Sequence, residues 1–98
     1  FSKFKGEKAI ILGDMYELGK ESSKEHKNII KLCEEISDTK CIFIGEHFYI
    51  FSNNKNGSKF FKNKTDFYNS DLKIDQNNIL IKGSRGMKME EILKYIKQ

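Results

Sequence analysis

Three short runs of uninterrupted apolar residues constrain this chain most: Ala9–Leu12, Cys41–Ile44 and Ile79–Ile81, with Gly13, Gly45 and Gly83 closing them. A strand with one face in water alternates apolar and polar residues. A run that is apolar at every position predicts a strand covered on both faces, as in a parallel sheet. Helical patterns fall between the runs. Ser22-Ser23-Lys24-Glu25 reads as a capping box, with a hydroxyl at the helix start and a carboxylate three positions on. The helix it opens extends to about Ile36, with His26, Ile29, Ile30, Cys33 and Ile36 on one stripe. A short helix begins in Glu46–Phe51, Asn53–Gly57 is a loop, and Phe60-Phe61 is a short strand. Thr65 or Asp66 is the expected cap of a weak helix through Leu72, and a last helix carries Met89, Ile92, Leu93 and Ile96. This alternation predicts an α/β fold with a mainly parallel sheet and helices on both faces, joined by right-handed crossovers. Residues 1–98 are expected to form a single domain, without linker or repeat.

Composition narrows the function classes. The net charge is +4, but 17 of the 18 basic residues are Lys, scattered singly as on a solvated surface. A nucleic-acid footprint would be clustered, richer in Arg and interleaved with exposed aromatics, so no nucleic-acid partner is expected. The aromatics between Phe43 and Tyr68 are read as core and packing surface, not as a platform for bases. No apolar run nears the roughly 20 residues of a membrane helix, and Phe1–Lys5 supplies no signal-peptide core, so no membrane partner is expected. Cys33 and Cys41 lack metal spacing and are too few for a disulfide framework; they read as core fillers in a chain of the reducing cytoplasm. The missing initiator Met reads as a fragment or a processed chain.

Ligands of open parallel α/β sheets bind at the carboxyl ends of the strands. Two polar, glycine-rich segments take that position: Gly13–Gly19 after the first run and Lys82–Gly86 after the last. In the second, a glycine-bracketed turn leads toward a helix start, Ser84 adds a hydroxyl, and Arg85 adds a fork that binds a carboxylate or phosphate bidentately. Against this anion site stands a plainer reading, in which Ser84 caps the last helix and Arg85 pairs with a surface acid. The segment is not a P-loop, which needs two glycines bracketing four residues and then Lys-Ser or Lys-Thr. In the first segment, Asp14 and Glu17 receive an ammonium group or anchor the loop against Lys82 or Arg85. Alternatively, Asp14 makes turn chemistry with its own downstream backbone. His26, on a buried stripe, is expected to hydrogen-bond a neighbouring loop rather than catalyse.

Ile11–Gly19 (ILGDMYELG) with Ser22 and His26, and Lys82–Glu91 (KGSRGMKMEE), together resemble the C-terminal part of the MurF ligases, members of the Mur ligase family. The positions carrying the resemblance are Leu12, Gly13, Asp14, Met15, Glu17, Leu18, Gly19, Ser22 or Ser23, His26, Lys82, Gly83, Ser84, Arg85, Met87 and Glu90. The middle, Glu46–Gln76, matches only in its strand–helix rhythm. The family's central-domain P-loop is absent, and so is the Asp-x-Tyr-Asn-Ala-Asn-Pro stretch that opens its third domain. The resemblance therefore implies a Rossmann-like third domain, truncated at its N-terminus and short of an edge strand.

For function, the resemblance implies an ATP-dependent ligase of peptidoglycan synthesis that joins D-Ala-D-Ala to UDP-MurNAc-tripeptide through an acyl phosphate. ATP and Mg2+ would be bound mainly by the central domain, with no cofactor, metal ligand or catalytic residue in this fragment, which alone would be inactive. Its partners would be the two substrates and the remaining domains of the same protein. Asp14, Glu17, Lys82, Ser84 and Arg85 would bind substrate, Arg85 and Ser84 facing the dipeptide carboxylate, while Gly13, His26 and Gly83 order the loops. The alternatives are a stand-alone Rossmann-like anion- or nucleotide-binding module and a weak nucleic-acid binder driven by net charge.

Overall fold

The computed structural model describes residues 8–15, 22–36, 39–52, 58–72, 74, 78–84 and 87–96. The apolar runs form the strands β1 (Lys8–Gly13), β2 (Thr39–Ile44) and β4 (Asn78–Lys82), and β3 (Lys59–Phe61) covers the Phe60-Phe61 pair. They make one sheet in the order β3-β2-β1-β4, and every pairing is parallel. Ile10 stands opposite Cys41 and Leu80, and Ile11 opposite Ile42 and Ile81.

Because side chains alternate along a strand, this register sorts the apolar residues into two cores. Ile10, Leu12, Cys41 and Phe43 face α1 (Ser22–Glu34) and α2 (Glu46–Tyr49), which contribute Ile30, Cys33 and Phe48. Ile11, Ile42 and Ile44 face the opposite layer, where α3 (Lys64–Asn69) and α4 (Glu90–Ile96) contribute Phe67 and Ile92. Helices thus cover both faces of a parallel sheet. The aromatics are packing groups: Phe43, Phe48 and Phe67 are wholly buried, and Phe43 lies 4.9 Å from Phe48 and 5.1 Å from Phe60, ring centre to ring centre. No helix among the described residues is long and apolar enough to cross a membrane.

The structure departs from the sequence reading at the bounds of α3 and α4 and in the burial of β4. Asn63, not Thr65 or Asp66, caps α3: in extended conformation its side-chain oxygen accepts the Asp66 N–H at 2.8 Å. Asp66 then sits in the first turn, where a carboxylate complements the helix dipole. That helix stops at Asn69 because Asp71 turns the chain through a left-handed φ of 56°. The residues of β4 are half-buried or exposed rather than enclosed, since β4 is an edge of the sheet among the described residues. Finally, α4 starts at Glu90, well past the glycine turn, after Met87 and Met89 have dipped into the core.

Candidate functional site at the carboxyl ends of the strands

From β1 the chain winds outward through β2 to β3, then returns to the far side of β1 as β4. Neighbouring strands whose connections diverge in this way leave a crevice at their carboxyl ends, where α/β sheets bind ligands. The two glycine-rich segments meet there. The Ser84 N–H donates to the Asp14 carbonyl at 3.0 Å. Beneath that bond, a Cβ on Gly83 would sit 3.2 Å from the Gly13 Cα and 2.7 Å from Met89 Cγ. A Cβ on Gly13 would sit 2.7 Å from Met89 Sδ. The paired glycines therefore admit the Met89 side chain over the strand ends, fastening α4 close to the rim.

Asp14 is buried, and among the described residues its carboxylate reaches the start of α2. Oδ2 accepts the His47 N–H at 3.0 Å and Oδ1 the Phe48 N–H at 3.2 Å. These donors belong to the first turn of a helix whose own N-cap residue, Gly45, has no side chain to offer. Gly45 adopts φ 130°, and a Cβ there would lie 2.3 Å from the Asp14 carboxyl carbon. Glycine is needed both for the backbone and for the carboxylate's approach.

His26 is wholly buried and its Nε2 accepts the Met15 N–H at 3.0 Å. Its ring packs edge-on against Phe48 at 4.5 Å and His47 at 5.1 Å. An accepting Nε2 carries no proton, so the imidazole is in the Nδ1–H form and serves as a backbone acceptor. His26 thus holds the Met15 backbone where the chain enters the segment containing Glu17, and the Asp14 side chain ties the preceding residue to the start of α2. Glu17 and Arg85 themselves lie outside the described residues. Ser84 is buried, and its carbonyl accepts the Met87 N–H at 2.9 Å, forming a turn. With α4 beginning at Glu90, the expected roles of Ser84 as its cap and of the helix tip as an anion attractor at Ser84 are not realised. Lys82 is exposed at the end of β4.

Two hollows open along this edge. One, of about 310 Å³, spans the ends of β1, β2 and β3 between Asp14, His47, Lys62, Asn63, Lys64 and Met87. The other, of about 360 Å³, lies beyond β4 and is bordered by Lys82, Gly83, Ser84, Met89, Glu90 and Leu93. In the sequence the strand-end rule picks out the segments after β1 and β4; extended to Gly45 and to the residues after Phe61, it reaches His47 and Lys62–Lys64. Lys64 is already engaged with Glu91, whose carboxyl it holds below the usual carboxylate range by hydrogen bonding and charge. Among the described residues no three His, Cys, Asp or Glu side chains converge as a metal site.

Fold and rim together define a Rossmann-like α/β fold whose two glycine-rich segments meet at the carboxyl end of a parallel sheet. No family model matches the chain. It is 36% identical over 93 residues to the UDP-N-acetylmuramoyl-tripeptide–D-alanyl-D-alanine ligase of Rickettsia prowazekii (strain Madrid E), a match covering 90% of this chain and 21% of the ligase. Its fold is similar to two crystal structures of MurF from Acinetobacter baumannii. One has TM-score 0.78 and 22% identity, covering 96% of this chain and 22% of that one; the other has TM-score 0.74 and 21% identity, covering 95% and 22%. The chain is thus similar in sequence to a ligase of this name and similar in fold to part of these MurF structures. It spans about a fifth of the length of the relatives it matches.

Proposed function

We propose that this chain is the substrate-positioning C-terminal domain of a cytoplasmic MurF-type ligase that joins D-Ala-D-Ala to UDP-MurNAc-tripeptide in peptidoglycan synthesis. The observation that carries this reading is the meeting of both motif segments at one rim, through the bond between Ser84 and Asp14. It occurs in a chain matched along 90% of its length by a ligase of that name. In this reading residues 1–98 act as one domain, and the rest of the protein supplies the other substrate contacts. ATP and Mg2+ are held, in this reading, mainly by the central domain of the intact ligase, since the sequence contains no P-loop.

The residues present favour orientation over proton transfer. His26 is committed to the backbone, and Asp14 to the turn between β2 and α2. What they position is the pair of segments leaving the rim, one carrying Glu17 and the other Arg85. The Arg85 fork binds the dipeptide carboxylate, Ser84 and Lys82 flank it, and Glu17 faces the amine. Holding a nucleophile in line in this way contributes to the rate without any acid or base.

The test is Arg85→Lys in the intact ligase, which keeps the charge and removes the bidentate geometry. Charge-assisted hydrogen bonds contribute about 1.5–3 kcal/mol. The KM for D-Ala-D-Ala is therefore expected to rise by ~10-fold or more, with the KM for UDP-MurNAc-tripeptide little changed. Unchanged dipeptide kinetics would overturn the carboxylate clamp.

A further inference from the structure

Away from the rim, where α1 ends and β2 begins, Cys33 and Cys41 are both free and both buried in the core of the α1 layer. They touch: Cys41 Sγ donates to the Cys33 carbonyl at 3.4 Å. The two thiols are unequal: its interaction with Cys33, and burial, push Cys41 above the ordinary thiol range, while the interaction with Cys41 lowers Cys33. Glu34, next to Cys33, opposes ionisation of both, but its carboxylate also accepts the Ser58 hydroxyl at 2.6 Å. Beyond Cys33 the helix tightens into i→i+3 bonds, from Glu35 N–H to the Leu32 carbonyl at 3.3 Å and from Ile36 N–H to the Cys33 carbonyl at 3.2 Å. Helix ends open more readily than their middles, and Cys33 lies in the last turn of α1.

We propose that Cys33 and Cys41 form a reversible oxidation site, converted to an intrachain disulfide by hydrogen peroxide. The Cys33 thiolate attacks one peroxide oxygen. The O–O bond breaks, the departing hydroxide takes up a proton to leave as water, and Cys33 becomes a sulfenic acid. Cys41 sulfur then attacks the Cys33 sulfur. An S–S bond forms, the S–O bond breaks, and the Cys41 proton leaves with the hydroxyl as a second water. Two thiols have given up two electrons to one peroxide.

The chain is treated with hydrogen peroxide, unfolded in the presence of an alkylating agent, and weighed by mass spectrometry. The expected product has lost two hydrogens, shows Cys33 and Cys41 protected from alkylation together, and reverts with dithiothreitol. In Cys41→Ala, dimedone is expected to label Cys33. In Cys33→Ala, labelling of Cys41 is expected to fall at least tenfold below that. Independent oxidation of the two thiols, disulfide-linked dimers, or full alkylation after peroxide would each overturn the proposal. The mass of the unmodified sequence decides this even if a variant fails to fold.

Discussion

Asp14 and Gly45 form one device split between two strands. A carboxylate at the end of β1 caps the helix that follows β2, and the residue between must lack a Cβ. Asp14→Ala removes both acceptors from buried or half-buried N–H groups and is expected to cost about 1–3 kcal/mol in urea unfolding. Gly45→Ala strains the backbone at φ 130° and also collides with Asp14, and is expected to cost about 1–3 kcal/mol or more. In the double variant the collision is gone and the lost cap and the backbone strain remain, so the two single costs should sum to more than the combined loss. Simple additivity, measured in the same cycle, would show that the side-chain contact contributes nothing. Asp14 stands out in the sequence because it follows a buried run and a glycine. Its partners lie 33 and 34 residues away, and no local spacing points to them.

At the scale of elements, α3 and α4 share a layer and are joined at the surface by Lys64 and Glu91. Lys64 lowers the Glu91 pKa in the folded state. The stabilisation is therefore present above the unfolded carboxyl value of about 4.3 and is lost as pH falls through the lower folded value. Glu91→Gln is expected to lower Tm slightly at pH 7, with the difference from the parent closing in acid and also at high salt. A difference that persists in acid would assign the effect to packing instead. The element boundaries show where pattern reading loses resolution. An apolar stripe at Met89, Ile92, Leu93 and Ile96 marks a helix, but its start depends on where Met87 and Met89 find room. Two glycines on neighbouring strands make that room. Likewise Asn63 won the cap of α3 over Thr65 because its extended backbone aims the side chain at Asp66 N–H, a matter of φ rather than residue type.

At the scale of the molecule, the sheet separates two cores, and each has wholly buried aromatic anchors. Phe67 touches Phe61, Tyr68 and Tyr95, with ring centres 5.4, 5.9 and 5.7 Å away. Phe67→Ala is expected to cost about 3–5 kcal/mol. That is a large part of the roughly 5–15 kcal/mol typical of a native domain, so urea unfolding should shift to markedly lower midpoint with the slope preserved. Continuous apolar runs announced buried parallel strands because only a doubly covered strand lacks a polar face, and helical spacing announced the layers that cover them. The same inference overreached for β4, whose run is as apolar as the others yet lies at a sheet edge. Periodicity reports the burial a residue favours, not the neighbour that provides it.

The amino-acid order by itself determined the element types, the parallel sheet, the motif pair and thus the resemblance to the MurF ligases. All of these are written within windows of a few to a dozen residues. Strand order was decided only in three dimensions. It placed Ser84 beside Asp14 and set Asp14 on the start of α2. Such pairings depend on the simultaneous packing of both faces of the sheet, a property of the whole chain that no single segment carries.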